Sequence, residues 1–95
     1  MNITLDRNEN ELTVALEGRL DTLTAPELED KLEPELYDIE KLVFDFAGLE
    51  YISSAGLRVL LAAQKQMDEM VVTNVRSEVM EVFDLTGFAD FLNIE

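Results

Sequence analysis

Ninety-five residues, 47% of them hydrophobic, make one domain with a real core and exclude a disordered chain. The chain has no cysteine, which excludes a disulfide scaffold and thiol chemistry, and no histidine, which removes the commonest general base and metal ligand. A formal net charge of −14 opposes nucleic acid and anionic lipid and favours a partner with a basic face, although acidity also simply keeps a small protein soluble.

Met1-Asn2-Ile3 runs directly into a strand-like segment, so no secretory signal is expected. No apolar run approaches the roughly 20 residues of a membrane helix, and cytoplasmic residence is the default. Ile3-Thr4-Leu5 and Leu12-Thr13-Val14-Ala15-Leu16 alternate as half-buried strands do, and Asn8-Glu9-Asn10 between them is turn chemistry, so the two predict an opening hairpin. Gly18 is expected to end the second strand. Thr24-Ala25-Pro26-Glu27 has the form of a capping box. Leu28, Leu32 and Leu36 then recur every four residues along one helical face, and Pro34 should kink or end that helix near Glu33. The acidic cluster Glu27, Glu29, Asp30, Glu33 and Glu35 has the character of a solvated face and does not have the spacing of a calcium loop.

Lys41 to Phe46 is rich in strand formers and apolar on nearly both faces, which predicts a central strand covered on two sides and broken at Gly48. A loop from there to Ser53 leads into a second, largely buried helix over about Ser54 to Met67. Met70 to Thr73 is the next strand. Ser77 is a plausible N-cap for a third helix with the stripe Val79, Val82, Phe83, and Gly87 is a natural stop. Phe88 to Phe91 can add a helical turn, and Leu92-Asn93-Ile94 a short last strand. Phe44, Phe46, Phe83 and Phe88 are expected core residues, with Met67 and Met70 as packing residues. The order β-β-α-β-α-β-α predicts an α/β domain over residues 1–95, a mixed sheet with an N-terminal hairpin followed by parallel strands, packed with three to four helices.

The segment that carries chemistry is Tyr51-Ile52-Ser53-Ser54-Ala55-Gly56-Leu57-Arg58. It sets two serines at the head of a strongly apolar helix, where free backbone N–H groups and the positive end of the helix dipole favour a phosphoryl group. The plain alternative is a helix N-cap and its neighbour. Arg58, one turn on, is either a surface charge or an aid in pairing such an anion. Asp45 lacks the acidic pair after the first strand that a receiver-type phosphoacceptor would need; Asp6 stands alone beside Arg7.

Glu17-Gly18-Arg19-Leu20-Asp21, Leu42 to Phe46, Ile52 to Leu57 and Val75 to Phe88 together resemble the STAS domain, the fold of bacterial anti-sigma factor antagonists, across essentially the whole chain. Against the family motif Asp-Ser-Ser/Thr-Gly-Leu-Gly, Gly56-Leu57 anchors Ser53 at the Asp position, Ser54 at the phosphorylated Ser and Ala55 at the second Ser/Thr, while Arg58 replaces the last Gly. The resemblance thus implies Ser54 as phosphoacceptor, with Ser53 as second choice. It implies a partner surface of Asp21, Thr22, Ser53, Ser54, Ala55, Gly56 and Arg58. The stretch between Leu61 and Met70 is shorter than the family's, which predicts a clipped helix or a tight turn.

What the resemblance implies in function is a monomeric cytoplasmic regulator that is not itself an enzyme and needs no cofactor or metal. Unphosphorylated, it would bind an anti-sigma factor that is also a serine kinase of the GHKL class. Phosphorylation would break that complex, and a PPM-type serine phosphatase would reset it; neither nucleic acid nor membrane would be a partner. Two other readings stand beside it: a STAS interaction or scaffold module that is never phosphorylated, for example one associated with a transporter, and a nucleotide-binding domain. The second is opposed by the charge of −14 and the lack of a Walker-type glycine loop. Without His or Cys no nucleophile–base constellation is visible.

Overall fold

Strand periodicity organises the first half of the chain. In the computed structural model, which describes all 95 residues, β1 (Asn2–Asn8) and β2 (Glu11–Leu20) form the expected antiparallel hairpin, with Asn8 opposite Glu11. Glu9 in the turn has a φ of 56°, a left-handed value that asparagine would adopt more easily. β2 pairs parallel with β3 (Lys41–Ile52), and β3 parallel with β4 (Glu69–Thr73), giving a mixed sheet in the order β1-β2-β3-β4. The helices are α1 (Ala25–Leu32), α2 (Ser54–Gln66) and α3 (Ser77–Thr86). A 3-10 turn at Glu33–Glu35 follows α1 where Pro34 removes a helical N–H, and another at Phe88–Asp90 follows Gly87, which closes α3 at a φ of 81°.

The two expected strand breaks are not breaks. Gly18 lies inside β2 with a φ of 108°, and Gly48 lies inside β3, so the expected loop from Gly48 to Ser53 is strand instead. At Gly48 the reason is close approach: a Cβ there would stand 2.7 Å from Glu17 Cγ and 3.0 Å from the Leu16 carbonyl oxygen. Register shifts between Ala15 and Glu17 and between Gly18 and Arg19 absorb the difference between the 10 residues of β2 and the 12 of β3. Here glycine marks bulges rather than stops.

All three helices bury their apolar side chains against one face of the sheet. Leu12, Val14 and Leu16 of β2, Leu42, Phe44 and Phe46 of β3, and Val72 of β4 meet Leu28 and Leu32 of α1, Leu57 and Leu60 of α2, and Val79 and Phe83 of α3. The Phe46 ring lies between those of Phe44 and Phe83, with centroids 5.7 and 6.4 Å away. On the reverse face Thr13, Ala15, Val43, Asp45 and Thr73 are half-buried, and Val71 is buried outside the main core. The expectation that β3 is covered on two sides therefore fails, because no helix crosses to that face. Phe88 is only half-buried, whereas Met70 is buried and Met67 packs at the core margin.

At the end of the chain the expected last strand shrinks to one bridge, Val72 with Ile94. The Val72 N–H donates to the Asn93 carbonyl and the Glu95 N–H to the Val72 carbonyl, both at 2.9 Å, which covers part of the β4 edge. Only Met67 and Asp68 separate α2 from β4, the tight connection expected from the short sequence. Ser77 is not an N-cap: Arg76 holds that position, its carbonyl accepting from Val79 and Met80, and Ser77 is the first helical residue.

The capping box at Thr24 and Glu27 is also not formed. Thr24 already has a near-helical backbone (φ −95°, ψ −21°), and its hydroxyl turns back to accept from the Asp21 N–H and donate to the Arg19 carbonyl, both at 2.8 Å. Asp21 does the work instead. Its Oδ1 accepts from the N–H groups of Leu23 and Thr24 at 3.0 and 3.1 Å, and its carbonyl accepts from Ala25 at 2.8 Å. The Thr24 N–H holds the Asp21 carboxyl below its ordinary value of 3.8, against partial desolvation, with further lowering by the Leu23 N–H, the Thr24 hydroxyl and the Arg19 charge.

Two consequences are measurable. Gly48→Ala should destabilise the domain by about 1–3 kcal/mol in urea unfolding, because the new methyl group meets the Leu16 backbone as well as a side chain. Titration of the Asp21 carboxyl by NMR should give a midpoint below 3.8. Since folding lowers this value, the carboxylate's contribution to stability is complete above the unfolded-state value and disappears as pH falls through the folded one. The stability difference between wild type and Asp21→Ala should therefore be flat near neutrality and shrink at acid pH.

Candidate functional site

The carboxyl ends of β2 and β3 leave the sheet side by side. Leu20 is registered opposite Ile52, and the Ser53 N–H donates to the Leu20 carbonyl at 2.9 Å. The turn Asp21–Thr24 and the helix start Ser53–Ser54, 29 positions apart in sequence at their nearest, thereby become neighbours at the end of the sheet where parallel-strand proteins tend to build sites.

Ser53 and Ser54 divide the work between them. Ser53, with an extended backbone (φ −101°, ψ 177°), is the N-cap of α2: its Oγ accepts from the Gly56 N–H at 3.4 Å and its carbonyl from Leu57 at 3.0 Å. Ser54 is the first residue of the helix, and its exposed hydroxyl takes no part in capping. Gly56 is buried, and a Cβ there would lie 2.7 Å from Leu20 Cγ and 2.8 Å from Ile52 Cγ1. Only a glycine lets the first turn of α2 settle onto the two strand ends, so Gly56 sets the position of Ser54 and offers no surface of its own.

Around Ser54 the structure gathers the other expected residues. Thr22, Ala55 and Arg58 line one shallow hollow with Ala25, Pro26, Glu29 and Val59, between the first turns of α1 and α2. Thr22 and Arg58 are exposed and Ala55 half-buried. Asp21 commits one carboxylate oxygen to its own turn. Arg58 carries no ion pair; both salt bridges of the molecule belong to Lys41, with Glu11 and Glu69 at the opposite end of the strands.

Three further residues frame the site. Leu23, at the tip of the Asp21 turn, is 87% exposed. Arg19 lies over the Tyr51 ring, 4.1 Å from its centroid, on the paired ends of β2 and β3. Leu23 had a signal in the sequence, as a lone apolar residue between two threonines in a turn. The Arg19–Tyr51 pair had none, because it depends on the register created by the second bulge.

Chemically, this end of the molecule offers an exposed hydroxyl, two helix N-termini with their positive poles, and the cations Arg19 and Arg58 within an acidic protein. It suits an anion formed on the hydroxyl and a partner that approaches end-on. Asp45, which accepts from the Ala47 N–H and the Asn74 amide at 3.0 Å, serves the loop after β4. No group of three metal-ligating side chains converges anywhere, and no helix is long and apolar enough to cross a membrane.

Known proteins share this fold. The model of the STAS domain matches residues 2–95. BtrV of Bordetella bronchiseptica, described as a candidate anti-sigma factor antagonist, is 37% identical over 93% of this chain and 80% of its own length. The anti-sigma-B factor antagonist of Bacillus subtilis is 31% identical over 99% of this chain and 92% of its own. Among solved structures, the Bacillus anti-sigma factor antagonist SpoIIAA in its unphosphorylated form superposes with a TM-score of 0.86 at 16% identity, covering 99% of this chain and 88% of that one. Its phosphorylated form gives 0.77 at 15%, covering 99% and 91%. The chain therefore belongs to the STAS domain family.

Proposed function

We propose that this protein is an anti-sigma factor antagonist that works as a phosphorylation-controlled partner switch. In the unphosphorylated state its Ser54 end binds an anti-sigma factor that is also a serine kinase of the GHKL class. Transfer of a phosphoryl group to Ser54 Oγ ends the complex, and a PPM-type serine phosphatase restores the hydroxyl. The protein acts as a cytoplasmic monomer.

The observation that carries this reading is the exposed Ser54 hydroxyl at the first position of α2, beside the Asp21 turn and free of any capping duty. The serine at the position of the family's Asp also supports it, since Ser53 can cap the helix as an aspartate would. Two of the chain's relatives carry the name anti-sigma factor antagonist in full, and SpoIIAA keeps its fold in both phosphorylation states.

Phosphorylation adds about −1.5 to −2 charges at neutral pH. On an exposed helix N-terminus that charge favours the fold by about 0.3–1 kcal/mol. A partner surface shaped to a neutral hydroxyl would instead have to desolvate a dianion. An effect of about 2.7 kcal/mol, or about 100-fold in affinity, suffices for a switch. The change therefore acts on the interface and leaves the domain folded. The departure of Ser53-Ser54-Ala55 from the family motif sustains one other reading, a constitutive interaction module in which Ser54 is never modified.

Mass spectrometry of the protein from its native cells, with and without phosphatase treatment, separates the two. A single removable phosphate localised to Ser54 is expected; its absence under every growth and stress condition would leave the constitutive module. Ser54→Asp should bind the partner kinase about 100-fold more weakly while unfolding at a urea midpoint no lower than that of wild type. Ser53→Ala should do the reverse, losing about 1 kcal/mol of stability with its cap while still accepting phosphate at Ser54.

A further inference from the structure

α1 and α2 lie side by side in the same direction, since the first halves of both line one hollow and the second halves another. The hollow at the Ser54 end contains Ala25 and Glu29 of α1 with Ala55 and Val59 of α2. The second contains Glu29, Leu32, Glu33 and Leu36 on one wall, and Val59, Ala62, Ala63 and Gln66 on the other, with a volume of about 270 Å³. Glu29 and Val59 belong to both, so the two form one trough. From Ala55 to Gln66 it runs about 16 Å, the length of about three helical turns.

The trough exists because α2 faces α1 with small side chains. Ala62 is exposed and Ala63 sits on the floor, where a leucine would close the gap. Its floor is apolar, formed by Leu32, Leu36, Val59 and Ala63, and its rim along α1 and the following 3-10 turn carries the carboxylates of Glu29 and Glu33. Neither of those carboxylates has a salt-bridge partner. An apolar channel of helical length with one negative rim fits one kind of occupant.

We propose that the trough between α1 and α2 is a docking groove for a basic amphipathic helix of a protein partner. Apolar side chains at i, i+3 or i+4 and i+7 of that helix lie on Leu32, Val59 and Ala63, and its Lys or Arg residues face Glu29 and Glu33. The charge of −14 draws such a segment in, and a lipid or nucleic-acid surface is repelled by the same field. The groove opens at its upper end onto Ala55 and Arg58, so a partner seated there reaches the Ser54 surface in one continuous contact. Docking in the groove does not depend on whether Ser54 accepts phosphate.

The test uses the whole chain and a stapled helical peptide with leucine at i, i+4 and i+7 and lysine on one flank, with a glutamate-flanked peptide as control. In NMR titration at physiological salt, the basic peptide should shift Val59, Ala62, Ala63 and Gln66, and the acidic one should shift nothing. The double variant Glu29→Lys with Glu33→Lys should weaken binding at least tenfold. Ala62→Trp, at an exposed position that leaves the core intact, should weaken it similarly by filling the groove. Glu81→Lys with Asp84→Lys changes net charge equally on α3 and should alter binding less than twofold. Shifts spread over the whole acidic surface, equal losses in the α1 and α3 charge variants, or no effect of Ala62→Trp would each overturn the proposal.

Discussion

The structure depends on the pairing of β2 with β3 along their full length. That pairing survives two glycines and two bulges, and it ends with Leu20 opposite Ile52. Because both strands stop at the same level, the Asp21 turn and the Ser53 cap emerge together, and the Ser53 N–H seals the junction on the Leu20 carbonyl. Gly56 then brings α2 down onto the same two residues. Everything at the candidate site is referred to this pair of buried side chains, which belong to the core and do not move without it.

Charge is distributed to match. The amino ends of the strands hold Lys41 between Glu11 and Glu69, part of an otherwise acidic rim. Those pairs are exposed and contribute little to stability. At the other end, helix poles, Arg19 and Arg58 make a less negative patch in a chain of net charge −14. Long-range attraction would draw in a basic partner without specifying where it lands, and in the proposed switch local shape and the state of one hydroxyl do the selecting.

The proposed switch needs no conformational change in the domain. Ser54 lies outside the hydrogen bonds that cap α2, and the core ends one layer below it at Leu20, Ile52 and Leu57. The fold can tolerate either charge state there, so the free-energy difference between the states is available to the interface.

The sequence by itself determined the order of elements, the hairpin, the Pro34 and Gly87 stops, the family resemblance and the placement of two serines at the head of α2. These are local or periodic properties, written in side-chain spacing and turn chemistry. Tertiary structure alone decided that Gly18 and Gly48 continue their strands, because only the neighbouring strand shows that a glycine is needed for close approach rather than for a turn. It decided that the Asp21 carboxylate, and not the Thr24 hydroxyl, takes up backbone N–H groups ahead of α1, since the Thr24 hydroxyl turns back to Arg19 at the end of β2. It left one sheet face without a helix, which the apolar pattern of β3 does not reveal. And it brought Asp21, Ser54 and Arg58 to one end of the molecule, an arrangement set by strand register, which no single segment of the chain encodes.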